Sequence, residues 1–162
     1  MVADVFVRIN SEGMRLNSSD YILTWLSVFW PEGREEIEQF ARRSRMTPLG
    51  ATESEGVSVR WTPINPFLKV EPSHLVRAMV AIGQGRARLQ DAYTALQARD
   101  PGTGKADTER MFAQLAQLQG ALPIVTDPLN WGEFIHAVQM AGFRSGRNVT
   151  STLNLIYSYV IL

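Results

Sequence analysis

Asn17-Ser18-Ser19-Asp20-Tyr21-Ile22-Leu23-Thr24-Trp25-Leu26-Ser27-Val28-Phe29-Trp30-Pro31 is the stretch that decides the fold. Ile22, Trp25, Leu26 and Phe29 stand at i, i+3, i+4 and i+7, the spacing of one face of an α-helix. The stretch predicts a helix over residues 18–30, and Asn17 to Asp20 offers its cap. Proline is welcome at the first position of a helix, so Pro31 starts the next one. Glu32, Glu35 and Glu36 suit the N-terminal end of its dipole, and Arg42, Arg43 and Arg45 suit the C-terminal end. Ile37, Phe40 and Ala41 are its core-facing positions.

Working outward to the N-terminus, Val2, Phe6 and Ile9 also fall at helical spacing. Gly13 follows as a stop, because glycine takes the left-handed conformation at a helix end without a Cβ penalty. Residues 4–20 thus read as a helix, a tight turn and a second helix.

Towards the C-terminus the helical period lapses over residues 46–71, where Pro48, Gly50, Gly56, Pro63 and Pro66 punctuate the chain. Val57, Val59 and Trp61 alternate there, the pattern of one short extended segment. Trp61, Ile64, Phe67 and Leu68 predict that the second half of this connection is pinned to the core, with Thr47 to Glu55 its mobile part. Pro72 opens a helix through Leu75, Val76, Met79 and Val80 that turns at Gly83 and Gly85. Leu89, Ala92, Tyr93 and Leu96 carry another to Arg99, and Asp107 or Thr108 caps a third through Met111, Leu115, Leu118 and Leu122. Pro123 reads as its end. Asp127 and Pro128 start the next helix, with Trp131, Phe134, Ile135 and Val138 inward and Gly142 as its stop. A final stripe of Leu153, Ile156, Tyr157 and Val160 begins near Thr150. The expected architecture is an all-α, single-domain bundle of about seven or eight helices with one long irregular connection.

Composition narrows the chemistry. The 162 residues hold 16 basic and 16 acidic side chains and no cysteine, which removes thiolate and disulfide chemistry and any overall basic field. His74 and His136 stand far apart without carboxylates at ligand spacing, so both read as structural. Asp100-Pro101-Gly102-Thr103-Gly104-Lys105 superficially suggests a phosphate loop. Arg99 in place of the first glycine and Ala106 after the lysine make it an interhelical loop instead. No signal peptide or membrane-length apolar run appears, and the expected location is the cytoplasm, with no membrane partner.

Phe6-x-x-Ile9-Asn10-x-x-Gly13-x-x-Leu16-x-x-x-Asp20 resembles the signature of the GmrSD-type restriction endonuclease N-terminal domain family, defence proteins with a ParB-like, sulfiredoxin-like core. Glu12 stands where that family often has the first of two glycines, and the family's upstream D-G-Q-Q-R motif is absent. The resemblance therefore implies the helical C-terminal part of such a domain across residues 1–162, cut at both ends. It implies a nucleotide-dependent, modification-sensing restriction or anti-phage parent, whose missing N-terminal core pairs with this part. The parent would use a nucleoside triphosphate and a divalent metal, neither held by this fragment, and a nuclease domain or subunit acting on DNA.

In that setting Arg8 and Asn10 edge a nucleotide pocket, while the fragment has no catalytic residue and hydrolyses nothing alone. The rival reading is a non-catalytic helical module that binds DNA or a partner subunit. Arg42, Arg43, Arg45, Arg144 and Arg147 are the candidate DNA contacts. Together with Arg34 they discriminate the two readings: convergence of the six on one face favours DNA, and scatter favours a scaffold. Val2, Phe6, Val160, Ile161 and Leu162 predict self-association through apolar ends.

Overall fold

The computed structural model describes residues 17–45, 64–98 and 107–162. Arg8 and Asn10, the phosphate-loop look-alike and the alternating Val57–Trp61 segment lie outside the described residues. Within them the chain forms seven α-helices and one 3-10 turn, and no strand. The helices are α1 Ser18–Phe29, α2 Pro31–Arg43, α3 Pro72–Gln84, α4 Leu89–Gln97, α5 Thr108–Val125, α6 Pro128–Met140 and α7 Thr152–Ile161, with the 3-10 turn at Gly146–Asn148. The all-α bundle read from the periodicities is the fold observed.

α3 is the axis of the bundle. Leu75, Val76, Ala78, Met79 and Val80 are all buried, so apolar side chains surround most of its circumference. A helix apolar nearly all round must lie inside, and α1, α2, α4, α5 and α7 each pack against it. The closest crossing is with α5. A Cβ on Gly83 would stand 2.5 Å from the Gln117 carbonyl oxygen, so only the missing side chain lets the two backbones approach. Gly85, with φ of 62°, then ends α3 in the left-handed conformation.

Helix ends follow the sequence closely where a cap marks them. Asn17 accepts from the Ser19 amide, and Asp107 from Arg110 at 3.0 Å. Asp127 accepts from Leu129 at 2.8 Å ahead of Pro128. Gly142, with φ of 94°, closes α6: its amide donates to Gln139 and that of Phe143 to Val138, a Schellman arrangement.

Three expectations need correction. α5 does not end at Pro123 but continues through it to Val125. Proline at 123 deprives the Gln119 carbonyl of a helical donor, yet Gln119 is exposed to water, while Leu122 and Val125 are buried. The extra turn also finds partners for its orphan carbonyls. Asn130 Nδ2 and Tyr159 Oη donate to Ile124 O, and Trp131 Nε1 donates to Val125 O at 2.8 Å.

The last stripe is rotated. Leu155, Ile156 and Tyr159 face the core, and Leu153 is exposed. A helix with seven apolar or aromatic residues in ten has no polar face to fix its phase, and the Tyr159 anchor sets it instead. Phe29, expected inside, is also exposed, resting on Trp25 with ring centroids 4.7 Å apart.

Candidate functional site

Residues 64–71 form an irregular strap laid across one side of the bundle. Asn65 Oδ1 accepts from the amides of Phe67 and Leu68 at 2.9 and 3.1 Å, folding the strap's start into an Asx turn. Phe67 and Val70 are buried and hold it down, as the sequence predicted for Phe67. Ile64 is exposed.

Two distant parts of the chain fasten to this strap. Arg45, just beyond α2, donates from Nε to the Val70 carbonyl at 2.9 Å. At the other end the Gly146 amide donates to Pro66 O at 3.3 Å. A Cβ on Gly146 would lie 2.4 Å from Phe67 O, so the 3-10 turn can reach the strap only as glycine. Pro66 and Val70 are four residues apart, at most about 14 Å even fully extended. The strap thus brings the Arg42–Arg45 group and the Arg144–Arg147 group into one neighbourhood.

Arg42, Arg45, Arg144 and Arg147 are exposed and Arg43 is half-buried. Lys69, exposed in the middle of the strap, and Arg77 on α3 join them. Burial pushes the His74 imidazole below its ordinary value; Glu71 opposes the shift, Arg77 and Arg45 add to it, and a backbone hydrogen bond at Lys69 opposes it. The imidazole stays neutral and accepts the Glu71 amide at Nδ1, 3.1 Å away, closing the start of α3. His74 is therefore a structural residue, as its sequence context indicated. Arg34 is elsewhere: it pairs with Glu38 at 2.8 Å and reaches Ser27 Oγ.

Charge is segregated even though the total is zero. Glu32, Glu35 and Glu36 occupy the first half of α2, and Glu36 accepts from Thr126 Oγ1 beside Asp127. From Glu32 to Arg43 is about 16 Å of helix. The acidic start and basic end of α2 are separated by that length, and Glu71 is the one acidic residue of the strap itself.

Beside the strap, α6, α7 and the loop between them enclose an open groove of about 500 Å³. Phe134, Val138, Phe143, Val149, Leu155 and Leu162 line it, with Asn148, Asn154 and Ser158 as its polar groups. The groove exists because α6 is held by long side chains rather than by close backbone packing. Trp131 stacks on Tyr159, with centroids 4.0 Å apart, and Phe40 and Phe134 complete an aromatic cluster joining α2, α6 and α7.

Among the described residues no group of three or more His, Asp or Glu side chains could hold a metal ion, and no helix is long and apolar enough to cross a membrane. Of the six arginines whose distribution discriminates the two readings, Arg45 is tied to the strap by its side chain, Arg42 and Arg43 precede it at the end of α2, Arg144 and Arg147 flank Gly146, which is tied to the strap by its backbone, and Arg34 is paired apart from them with Glu38 and Ser27. Lys69 and Arg77 were missed, since nothing local in sequence links them to the arginines. The groove was missed too, although a ten-residue helix without a single charge, Thr152–Ile161, was a legible signal. No family model, curated protein or solved structure matches the chain.

Proposed function

We propose that this chain is a non-catalytic helical module that holds duplex DNA by its phosphates along the strap. Its setting would be a modification-sensing restriction or anti-phage protein of the kind its opening corner resembles. Nucleotide binding and hydrolysis would belong to a core that this chain supports, with Arg8 and Asn10 at the edge of that pocket.

One observation carries the reading. One eight-residue strap carries Lys69, accepts a hydrogen bond from Arg45 at the end of α2, and accepts another from Gly146, the residue between Arg144 and Arg147, so three groups of cations far apart in sequence have neighbouring attachment points. Arg45 ties the strap down, but Arg42, Lys69, Arg144 and Arg147 beside it are exposed. Phosphate contacts set affinity and register without reading bases, and such a strap offers cations without the rigid helix or ribbon that would enter a groove.

Fluorescence anisotropy on a short duplex tests it. Binding should weaken with salt, and Arg42→Ala, Lys69→Ala, Arg144→Ala or Arg147→Ala should each lower the logarithmic salt slope by about one. Arg34→Ala, in the first turn of α2 and already engaged by Glu38 and Ser27, should leave it unchanged. An absence of binding at low salt, or binding indifferent to the four strap substitutions, overturns the proposal.

A further inference from the structure

The apolar surface around the groove does not stop at its walls. Met140, Phe143, Leu153, Ile161 and Leu162 are 75, 40, 42, 84 and 73 % exposed. At those fractions they leave a patch on the order of several hundred Å² bare, within the range of the largest patch on a monomer. That approaches the about 800 Å² each partner contributes to a standard interface, before the groove walls are counted. A small molecule filling the groove would leave Met140, Leu153 and Ile161 in water. The missing cover has the size of a protein surface.

The arrangement of α7 points to which protein. At 100° per residue, Leu153, Tyr157 and Ile161 form one row along the helix and Asn154, Ser158 and Leu162 the next. Leu153 and Ile161 of the first row stand outward, with Tyr157 between them half-buried and its hydroxyl donating to the Ala87 carbonyl, and the second row is a wall of the groove. Ridge and recess therefore lie side by side on one helix. A two-fold interface requires one patch to supply both the knob and the hole it enters. A foreign partner requires only one of them.

Charge allows the same pairing. α7 carries no charged residue, and Glu133 and His136 are the only ionisable groups on α6. Arg144 and Arg147 on the intervening loop flank one end of the groove, so the two helices themselves bring few like charges together, and the whole chain has no net charge to hold copies apart.

We infer that the α6–α7 face docks a second copy of this chain, with the two α7 helices antiparallel across a two-fold axis. Leu153 of one copy then meets Ile161 of the other, each ridge enters the other copy's groove, and Tyr157 lies near the axis.

Sedimentation equilibrium of the full chain tests the inference. The mass should rise with concentration from 18.1 kDa towards twice that value. Leu153→Glu and Ile161→Glu, both exposed in the monomer, should hold the mass at 18.1 kDa while far-ultraviolet circular dichroism stays unchanged. The chain has no cysteine, so Tyr157→Cys should yield a single disulfide-linked dimer under mild oxidation. A single monomeric mass at millimolar concentration overturns the inference, as does a dimer that survives both glutamates. A monomer in which a photo-crosslinker at Phe143 captures residues 1–16 of its own chain overturns it too, and assigns the groove to that segment.

Discussion

The indole of Trp131 lies flat on the ring of Tyr159, 12° from parallel, and both side chains donate to the last turn of α5. The pair does two jobs at once. It supplies stacking area between α6 and α7, and it satisfies carbonyls that the end of α5 would otherwise leave bare. Trp131→Ala should cost about 3–5 kcal/mol in urea unfolding, since it removes a side chain only 1 % exposed together with its hydrogen bond. Tyr159→Phe keeps the stack, and Ile124 O retains Asn130, so its cost should be about 1 kcal/mol. Equal losses from the two would mean that the hydroxyl, not the stack, holds α6.

Gly83→Ala sets two effects against each other. Alanine favours a helix interior over glycine by about 1 kcal/mol, but the new methyl meets the Gln117 carbonyl at 2.5 Å and Ala121 Cβ at 3.3 Å. A backbone atom cannot swing aside as a side chain can, so overpacking of about 1–3 kcal/mol should win. Chemical denaturation should show net destabilisation; a more stable variant would mean that α3 and α5 separate freely.

Gly146→Ala should damage DNA binding without touching a cation. Its methyl would collide with Phe67 O at 2.4 Å and push the Arg144–Arg147 turn off the strap. The expected result is a several-fold loss of affinity in anisotropy with the helical circular dichroism spectrum retained. Unchanged affinity would show that the two arginine groups need not be held together.

Acid should loosen the start of α3. The His74 pKa is lowered from 6.5 in the folded chain, chiefly by burial, so folding favours the neutral ring. Stability from this group is complete above pH 6.5 and is lost as pH falls through that value towards the folded pKa. Protonated Nδ1 can no longer accept the Glu71 amide, and the new charge would face Arg77 and Arg45. Melting temperature should therefore fall below pH 6.5, and His74→Gln should flatten that part of the profile.

Much of the fold was legible because its punctuation is local. Asn17, Pro31, Pro72, Asp107, Asp127 and Gly142 each act within a turn of their own position, and helix boundaries there agree within a residue or two. Pro123 misled because its local cost is met by partners contributed from α6 and α7, which no window of sequence contains. The phase of α7 was illegible for a related reason: seven apolar or aromatic residues in ten contain no contrast. The candidate site is the extreme case. Each arginine group alone is explained by a helix end or a loop, and only the carbonyls of Pro66 and Val70, fixed by tertiary contacts, bring them together.

The central helix lies near the middle of the chain, with its wrappings drawn from both sides. As the polypeptide leaves the ribosome, α1 and α2 emerge before the surface they are to cover, and α3 follows with Leu75 to Val80 still bare. The far side of that helix is closed only when α5 and α7 have been made. Until then the nascent chain carries the apolar circumference of its central helix unshielded.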